Sequence, residues 1–205
     1  QNNGGSRVVA NPPPRAPSPE ELDEVFALPY TRDVHPIHAG LQVPALAQVR
    51  FSVTSHRGCF GGCAFCAIGA HQGTGIQSRS EAGVLAEIDA FADHPAYSGV
   101  VNDVGGPTAN MYALGCTRPA PCERPSCVHP TICPHLETDH SRYIELLRRA
   151  TARPGVRKLF VTTGVRMDLA CSAPAFIKRL ATHHTSGLLK IAPEHMSPEV
   201  LRLMR

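Results

Sequence analysis

Cys59-Phe60-Gly61-Gly62-Cys63-Ala64-Phe65-Cys66 places three thiols at C-x3-C-x2-C spacing within a glycine-rich loop. Thiolates are soft ligands that suit iron–sulfur clusters or zinc. A structural zinc or cluster normally takes four protein ligands, so three cysteines leave one corner open. On a 4Fe-4S cube the open iron can chelate the amino and carboxylate groups of S-adenosylmethionine (SAM). Electron transfer would then cleave the sulfonium, releasing methionine and a 5′-deoxyadenosyl radical. Gly58, Gly61 and Gly62 let the backbone wrap closely and aim N–H groups at the sulfurs. Phe65, just before the last cysteine, is placed to cover an adenine. The competing reading is a structural zinc loop that borrows a fourth ligand from His56 or His71.

A second set, Cys116-x5-Cys122-x4-Cys127-x5-Cys133, lies in a Pro-rich stretch with almost no apolar content. Such a stretch cannot bury a core and needs a staple. Four thiolates suit a second 4Fe-4S cluster or a tetrahedral zinc. The spacing is wider than zinc-ribbon knuckles, so the metal stays open, with disulfides as the alternative. His129, His135 and His140 are further ligand candidates. Cys171 stands alone and is expected to pack as a small apolar residue. Eight cysteines without a secretory pattern point to metal or redox chemistry in the cytoplasm.

These loops need elements to hold them. Residues 1–27 are rich in Pro, Gly and Asn at the start and read as a flexible linker or a cut end; irregular chain continues to Ala47. Strands are expected at 49–54, 98–104, 156–163 and 188–192. Helices are expected between them: 80–93, with Ser80 as N-cap and Val84, Leu85, Ile88 and Phe91 inward; 139–151, with Tyr143, Leu146 and Leu147 inward; and 174–183. Ser197-Pro198-Glu199 opens another helix. This alternation predicts an α/β fold with a parallel sheet or barrel. Chemistry in such folds sits at the carboxyl ends of the strands. The cysteine triplet, Gly105-Gly106-Pro107, Gly164-Val165-Arg166 and Pro193-Glu194-His195 all fall there.

HRGCFGGCAFCAIGAHQG (56–73) resembles the signature of radical SAM enzymes, and specifically of the bacterial YgiQ-type family. The match continues through SRSE (78–81), DVGGPTANMY (103–112), the second cysteine set, TDH (138–140), TTGVRMDL (162–169) and LKIAPEH (189–195), from about Leu28 to the end. The resemblance implies a partial (β/α)6 barrel over residues 28–205, carrying a Cys/Pro-rich insertion at about 113–136. It implies a 4Fe-4S cluster on Cys59, Cys63 and Cys66, SAM as the small-molecule partner, and an electron donor such as a flavodoxin or ferredoxin. The family's Gly-Gly-Glu turn, which holds the SAM amino group, reads Gly105-Gly106-Pro107 here, without the glutamate. Backbone carbonyls, Asp103 or Asn110 are the remaining candidates for that role. Arg166 is expected to pair with the SAM carboxylate through its fork of N–H donors, or else with Asp168 or Glu194. Glu194 and His195 would reach a ribose or substrate hydroxyl, although His195 could instead cap locally; His71-Gln72 would line the SAM pocket.

The bulk properties narrow the classes. A net charge of +3 and 5% aromatic residues give no support to nucleic-acid binding. No run reaches the roughly 18 apolar residues of a membrane span. About four of the six barrel strands are expected within the chain, with the others beyond Arg205, and Gln1 is expected to lie inside a longer protein. The rival of another class is a non-enzymatic zinc-binding interaction module with two cysteine sites.

Overall fold

The computed structural model describes residues 2–7, 9, 11, 15–118 and 122–205. A small hairpin, β1 (Asn2–Asn3) and β2 (Ser6–Arg7), is followed by helices α1 (Pro19–Phe26) and α2 (Pro44–Val49). Helix α1 is an ordered element within 1–27, where a flexible linker or a cut end was expected. Its start is a complete capping box: Glu21 N–H donates to Ser18 Oγ (3.2 Å) and Ser18 N–H to the Glu21 carboxylate (2.8 Å), with Pro19 in the first turn. Only Leu22 of α1 is buried, so apolar periodicity could not reveal the docking. Polar contacts make it instead. The nearly inaccessible Arg79 pairs with Asp23 (3.3 Å) and Glu87, donates to the carbonyls of Thr54 and Gly83, and lies over the Phe26 ring. Helix α2 likewise replaces expected irregular chain.

β3 (Ser52–Thr54) runs almost directly into β4 (His56–Arg57), which pairs antiparallel with β5 (Gln77–Ser78). That ladder ties together the two ends of the loop bearing the cysteine triplet and helix α3 (Ile68–Gln72). After α4 (Glu81–Ala90) come β6 (Val100–Val101) and β7 (Asp103–Gly105), two halves of one extended segment. β7 pairs in parallel with β3, in register Ser52↔Asp103. β6 pairs in parallel with β8 (Lys158–Leu159), which follows α5 (Ser141–Thr151). A parallel bridge, Val165↔Ile191, adds the last neighbour, between α6 (Met167–Ala170) with α7 (Pro174–His183) and α8 (Pro198–Met204). Four parallel segments thus lie side by side in chain order, and they do not close into a barrel. The expected strand 188–192 shrinks to that bridge, because Gly187 turns at φ +126° and Leu188 is 90% exposed.

One core joins the strands to α4, α5 and α7: Val53, Val101, Val104 and Leu159 against Val84, Leu85, Ile88, Tyr143, Leu146, Phe176 and Leu180. Each such side chain contributes about 1.5–3 kcal/mol on burial. Ser80 Oγ accepts from Gly83 N–H (2.9 Å), the N-cap that starts α4. Two expectations fail. The Cys/Pro-rich insertion does bury a core, with Leu114, Val128, Cys133 and Leu136 packing on Phe60, Met111 and Leu169. It succeeds by borrowing apolar partners from outside itself. Cys171 is exposed, because it caps the short helix α6 at the surface.

His56, beneath this sheet, gives the fold a pH dependence. Its Nε2 lies 3.1 Å from Thr108 O and its Nδ1 3.0 Å from Ser55 Oγ. Burial pushes its pKa down to about 4, and the Thr108 hydrogen bond opposes this only in part. In the unfolded chain a histidine titrates near 6.5, so between about pH 6.5 and 4 the unfolded state binds the extra proton. Stability is therefore intact above that window and falls with pH through it, by roughly 3 kcal/mol for His56. Urea unfolding at about pH 7 and about pH 5 should show the decline; equal free energies would contradict a neutral, buried imidazole.

Candidate functional site

The cysteine loop is shaped from both ends. Gly58 N–H donates to Gln72 Oε1 (3.2 Å), and Cys59 N–H to Gly73 O (3.1 Å). Gly61 N–H points at Cys59 Sγ (3.4 Å), the kind of donor that steadies a thiolate. A Cβ at Gly61 would lie 2.6 Å from Arg166 Nη1, so only glycine lets the guanidinium approach. Gly62 has φ +63°, and a Cβ there would overlap the Pro125 carbonyl oxygen.

The thiols of Cys59, Cys63 and Cys66 face one cavity of about 1000 Å³. Phe65, Pro107, Arg166 and Glu194 share its wall, so four separate loops converge as the strand ends demanded. Phe65 is 55% exposed on the rim. The far wall comes from α8, whose Met204 O accepts from Ala64 N–H (2.8 Å). Lys190, Met167 and Thr163 also line the cavity; their positions at strand ends were the available signal, but nothing in their residue types singled them out. Thr108, whose Oγ1 is 4.0 Å from Cys59 Sγ, was missed for the same reason.

Arg166 is the cation of the cavity that reaches a thiol of the triplet. Its Nε binds both carboxylate oxygens of Asp168 (3.0 and 2.8 Å), and Nη1 reaches Cys63 Sγ (3.6 Å). Burial would lower its pKa, but Asp168 and Cys63 outweigh that and raise it. Nη2 has no hydrogen bond among the described residues. Three soft thiols, an N–H donor and a cation around one cavity fit an anionic three-thiolate cluster site with room for a ligand.

Gly105 and Gly106 sit behind the wall rather than on it. Gly105 O accepts from Ser55 N–H (2.6 Å) and Oγ–H (3.0 Å), so it is not free for an amino group. Gly106 rests on the His56 ring, which a Cβ would meet at 2.5 Å. Asp103 spends its carboxylate on Thr162 N–H (2.7 Å), Thr163 N–H (3.1 Å) and the Thr163 hydroxyl. Asn110 is fully buried, accepting from Arg166 N–H (2.8 Å) and donating to Arg166 O (3.0 Å). Both side chains brace the strand-three turn; neither is spare for SAM. His195 Nδ1 accepts from Ser197 N–H (2.9 Å), a local cap. His71 is exposed and Gln72 props Gly58; neither lines the cavity.

In the insertion, Cys116 bridges to Leu136 and Cys133 N–H donates to Cys127 O (2.7 Å). Arg118 Nη1 reaches Cys122 Sγ (3.6 Å). Burial raises the Cys127 thiol pKa, and the nearby thiols of Cys133, Cys116 and Cys122 push the same way. All eight cysteines are free. Among the described residues no three His, Cys, Asp or Glu side chains converge on a point that a single ion could occupy. His56 is committed to Ser55 and Thr108, and His71 lies off the cavity, so the zinc-loop reading lacks its fourth ligand. His140, expected as a supporting ligand, stacks on Phe176 at 5.0 Å and bonds Thr138 O (2.8 Å), away from the thiols.

The sequence pattern of the radical SAM superfamily matches residues 53–205, and that of the radical SAM N-terminal region residues 1–52. The chain belongs to the radical SAM superfamily. Members typically use a 4Fe-4S cluster and SAM. The UPF0313 protein YgiQ of Salmonella typhimurium is 51% identical over 199 residues, which cover 95% of this chain and 28% of that protein. YgiQ of Escherichia coli K12 is 51% identical over the same length and 27% of its own, and the UPF0313 protein PA4928 of Pseudomonas aeruginosa 50%. The chain therefore spans less than a third of these relatives. The superfamily match begins at 53, within β3, and the amino-terminal match covers α1 and α2. No helix among the described residues is long and apolar enough to cross a membrane.

Proposed function

We propose that this radical SAM chain holds a 4Fe-4S cluster through Cys59, Cys63 and Cys66 and binds SAM in the adjoining cavity, as part of an enzyme acting on a substrate yet to be identified. The observation that supports this most is the cavity of about 1000 Å³ shared by all three thiols and Arg166. When bound, the cluster would supply the electron that cleaves SAM to methionine and a 5′-deoxyadenosyl radical. Arg166 orients the SAM carboxylate: Asp168 fixes one edge of the guanidinium and the Nη2 edge is left for the ligand. Phe65 covers the adenine and Glu194 accepts from the ribose. Pro107 stiffens the turn beneath the amino group, with Gly105 and Gly106 setting its depth. Cys116, Cys122, Cys127 and Cys133 are the candidate ligands of a second site, for a 4Fe-4S cluster rather than zinc, since no three of the described side chains converge on a single-ion position. A flavodoxin or ferredoxin in the cytoplasm provides electrons, and residues 53–205, with the insertion at about 113–136, form the catalytic core, to which 28–52 add the end of the amino-terminal region.

Anaerobic reconstitution of the full-length protein with iron and sulfide, then low-temperature EPR with and without SAM, tests the reading. A reduced-cluster signal that changes shape with SAM is expected; uptake of zinc alone, with no such signal, would overturn it. In Arg166→Ala the cluster signal should persist while SAM binding weakens by roughly 1.5–3 kcal/mol, about ten- to hundredfold, since hydrogen bonds to a charged group are lost. An unshifted SAM titration would remove Arg166 from the binding site.

A further inference from the structure

We propose that His140 and Asn110 are positioning residues for Arg166: the His140 ring sets the orientation of the Asn110 amide, and that amide fixes the backbone from which Arg166 reaches into the cavity. The proposal rests on the reading that Arg166 binds the SAM carboxylate, and it adds the residues that hold the guanidinium in place.

The hydrogen-bond partners leave one arrangement. Arg166 N–H can only donate, so the Asn110 atom 2.8 Å from it is the accepting Oδ1. The Asn110 amide nitrogen then has two N–H groups to place. One donates to Arg166 O (3.0 Å), and the other points at His140 Nε2 (3.3 Å). That Nε2 is therefore unprotonated and accepts. Across the ring, Nδ1 lies 2.8 Å from Thr138 O, which can only accept, so Nδ1 carries the proton. A neutral imidazole protonated at Nδ1 satisfies every donor in the set. Burial favours the neutral form by lowering the His140 pKa.

The ring is held in turn. His140 directly precedes α5, is 3% exposed, and stacks on Phe176 of α7 with centroids 5.0 Å apart and an interplanar angle of 29°. Asn110 is fully buried, so losing the His140 acceptor would leave an N–H unpaired in the interior and favour rotation of the amide.

Arg166 is where that rotation would be felt. It is the N-cap of α6, a position whose N–H has no partner within the helix, and Asn110 supplies one. Ala109 N–H also donates to Gly164 O (3.1 Å), so residues 109–110 lie along the Arg166 turn. The guanidinium sits at the end of a long side chain. A small tilt of this backbone is therefore a larger shift at Nη1, which lies 3.6 Å from Cys63 Sγ. Neither Asn110 nor His140 lines the cavity, so both act through Arg166.

The test uses the full-length protein, reconstituted anaerobically and titrated with SAM, with two variants that divide the faces of the ring. His140→Gln keeps an acceptor where Nε2 was, His140→Asn keeps a donor where Nδ1 was, and both lose the stack on Phe176. His140→Asn should weaken SAM binding about two- to tenfold, the range of one hydrogen bond, and His140→Gln should recover most of that loss. Equal loss in the two would assign His140 to packing alone and overturn the proposal. In an Arg166→Ala background, His140→Asn should cause no further weakening; an additive loss overturns action through Arg166. If Arg166→Ala alone leaves SAM binding unshifted, the carboxylate reading fails, and hydrogen exchange in cluster-free full-length protein judges the positioning pair by itself. There the amides of 164–169 should exchange several-fold faster in His140→Asn than in wild type or His140→Gln; equal rates overturn the pair. Asn110→Asp decides the matter where the His140 variants misfold. It keeps the acceptor for Arg166 N–H, loses both donors and should weaken SAM binding in the same range, whereas wild-type affinity would overturn the proposal.

Discussion

Cys63→Ala in the full-length protein is expected to abolish both the SAM-responsive EPR signal and the formation of 5′-deoxyadenosine. Two thiolates cannot hold a cube that offers one open iron, because a second corner would then be exposed to solvent. The loss should approach the whole catalytic acceleration, on the order of 10⁶-fold or more. Cys63 is also the thiol that Arg166 Nη1 faces, so the variant removes a contact of the guanidinium as well as the proposed ligand. Its side chain lies outside both apolar cores, and unfolding free energy should change by less than about 1 kcal/mol. That separation makes the experiment decisive: a folded, inactive, cluster-free variant identifies a ligand, whereas wild-type cleavage of SAM would exclude Cys63 from the set.

Gly62→Ala should be the most damaging single-methyl change in the site. A side chain at φ +63° costs about 1–2 kcal/mol. The new Cβ would also overlap the Pro125 carbonyl, and relieving that overlap adds about 1–3 kcal/mol. Gly155 supplies the control, since it has φ +80° with nothing within 4 Å of a built Cβ. Gly155→Ala should therefore show only the backbone cost, and Gly62→Ala an additional loss that appears as faster proteolysis of the insertion. Equal destabilisation in the two variants would show that the insertion does not press on Gly62.

The candidate ligand set was legible because residue type and local spacing carry it. Three thiols within eight residues can be read without a fold, and α4 and α7 were legible because Ser80, Pro174 and a helical apolar period act within a few turns. Strand positions followed from alternation, although their lengths did not: pairing depends on neighbours far along the chain, and β6 and β8 keep only two paired residues each. Helix α1 was hidden because it docks by Asp23 and Arg79, 56 residues apart, and ion pairs leave no periodicity.

Amino-acid sequence by itself determined the chemistry available here: soft ligands in a flexible loop, parallel strands that gather loops at one end, and membership of a radical SAM lineage. Tertiary structure decided how that chemistry is arranged. It assigned Asp103 and Asn110 to bracing a turn, consumed the Gly105 carbonyl on Ser55, aimed Arg166 between Asp168 and Cys63, and seated the insertion on Phe60–Gly62. Each of these is a hydrogen bond or contact between segments 40 or more residues apart, apart from the Arg166–Asp168 pair. A polar group's role depends on which partner reaches it first in space, and spacing along the chain does not encode that.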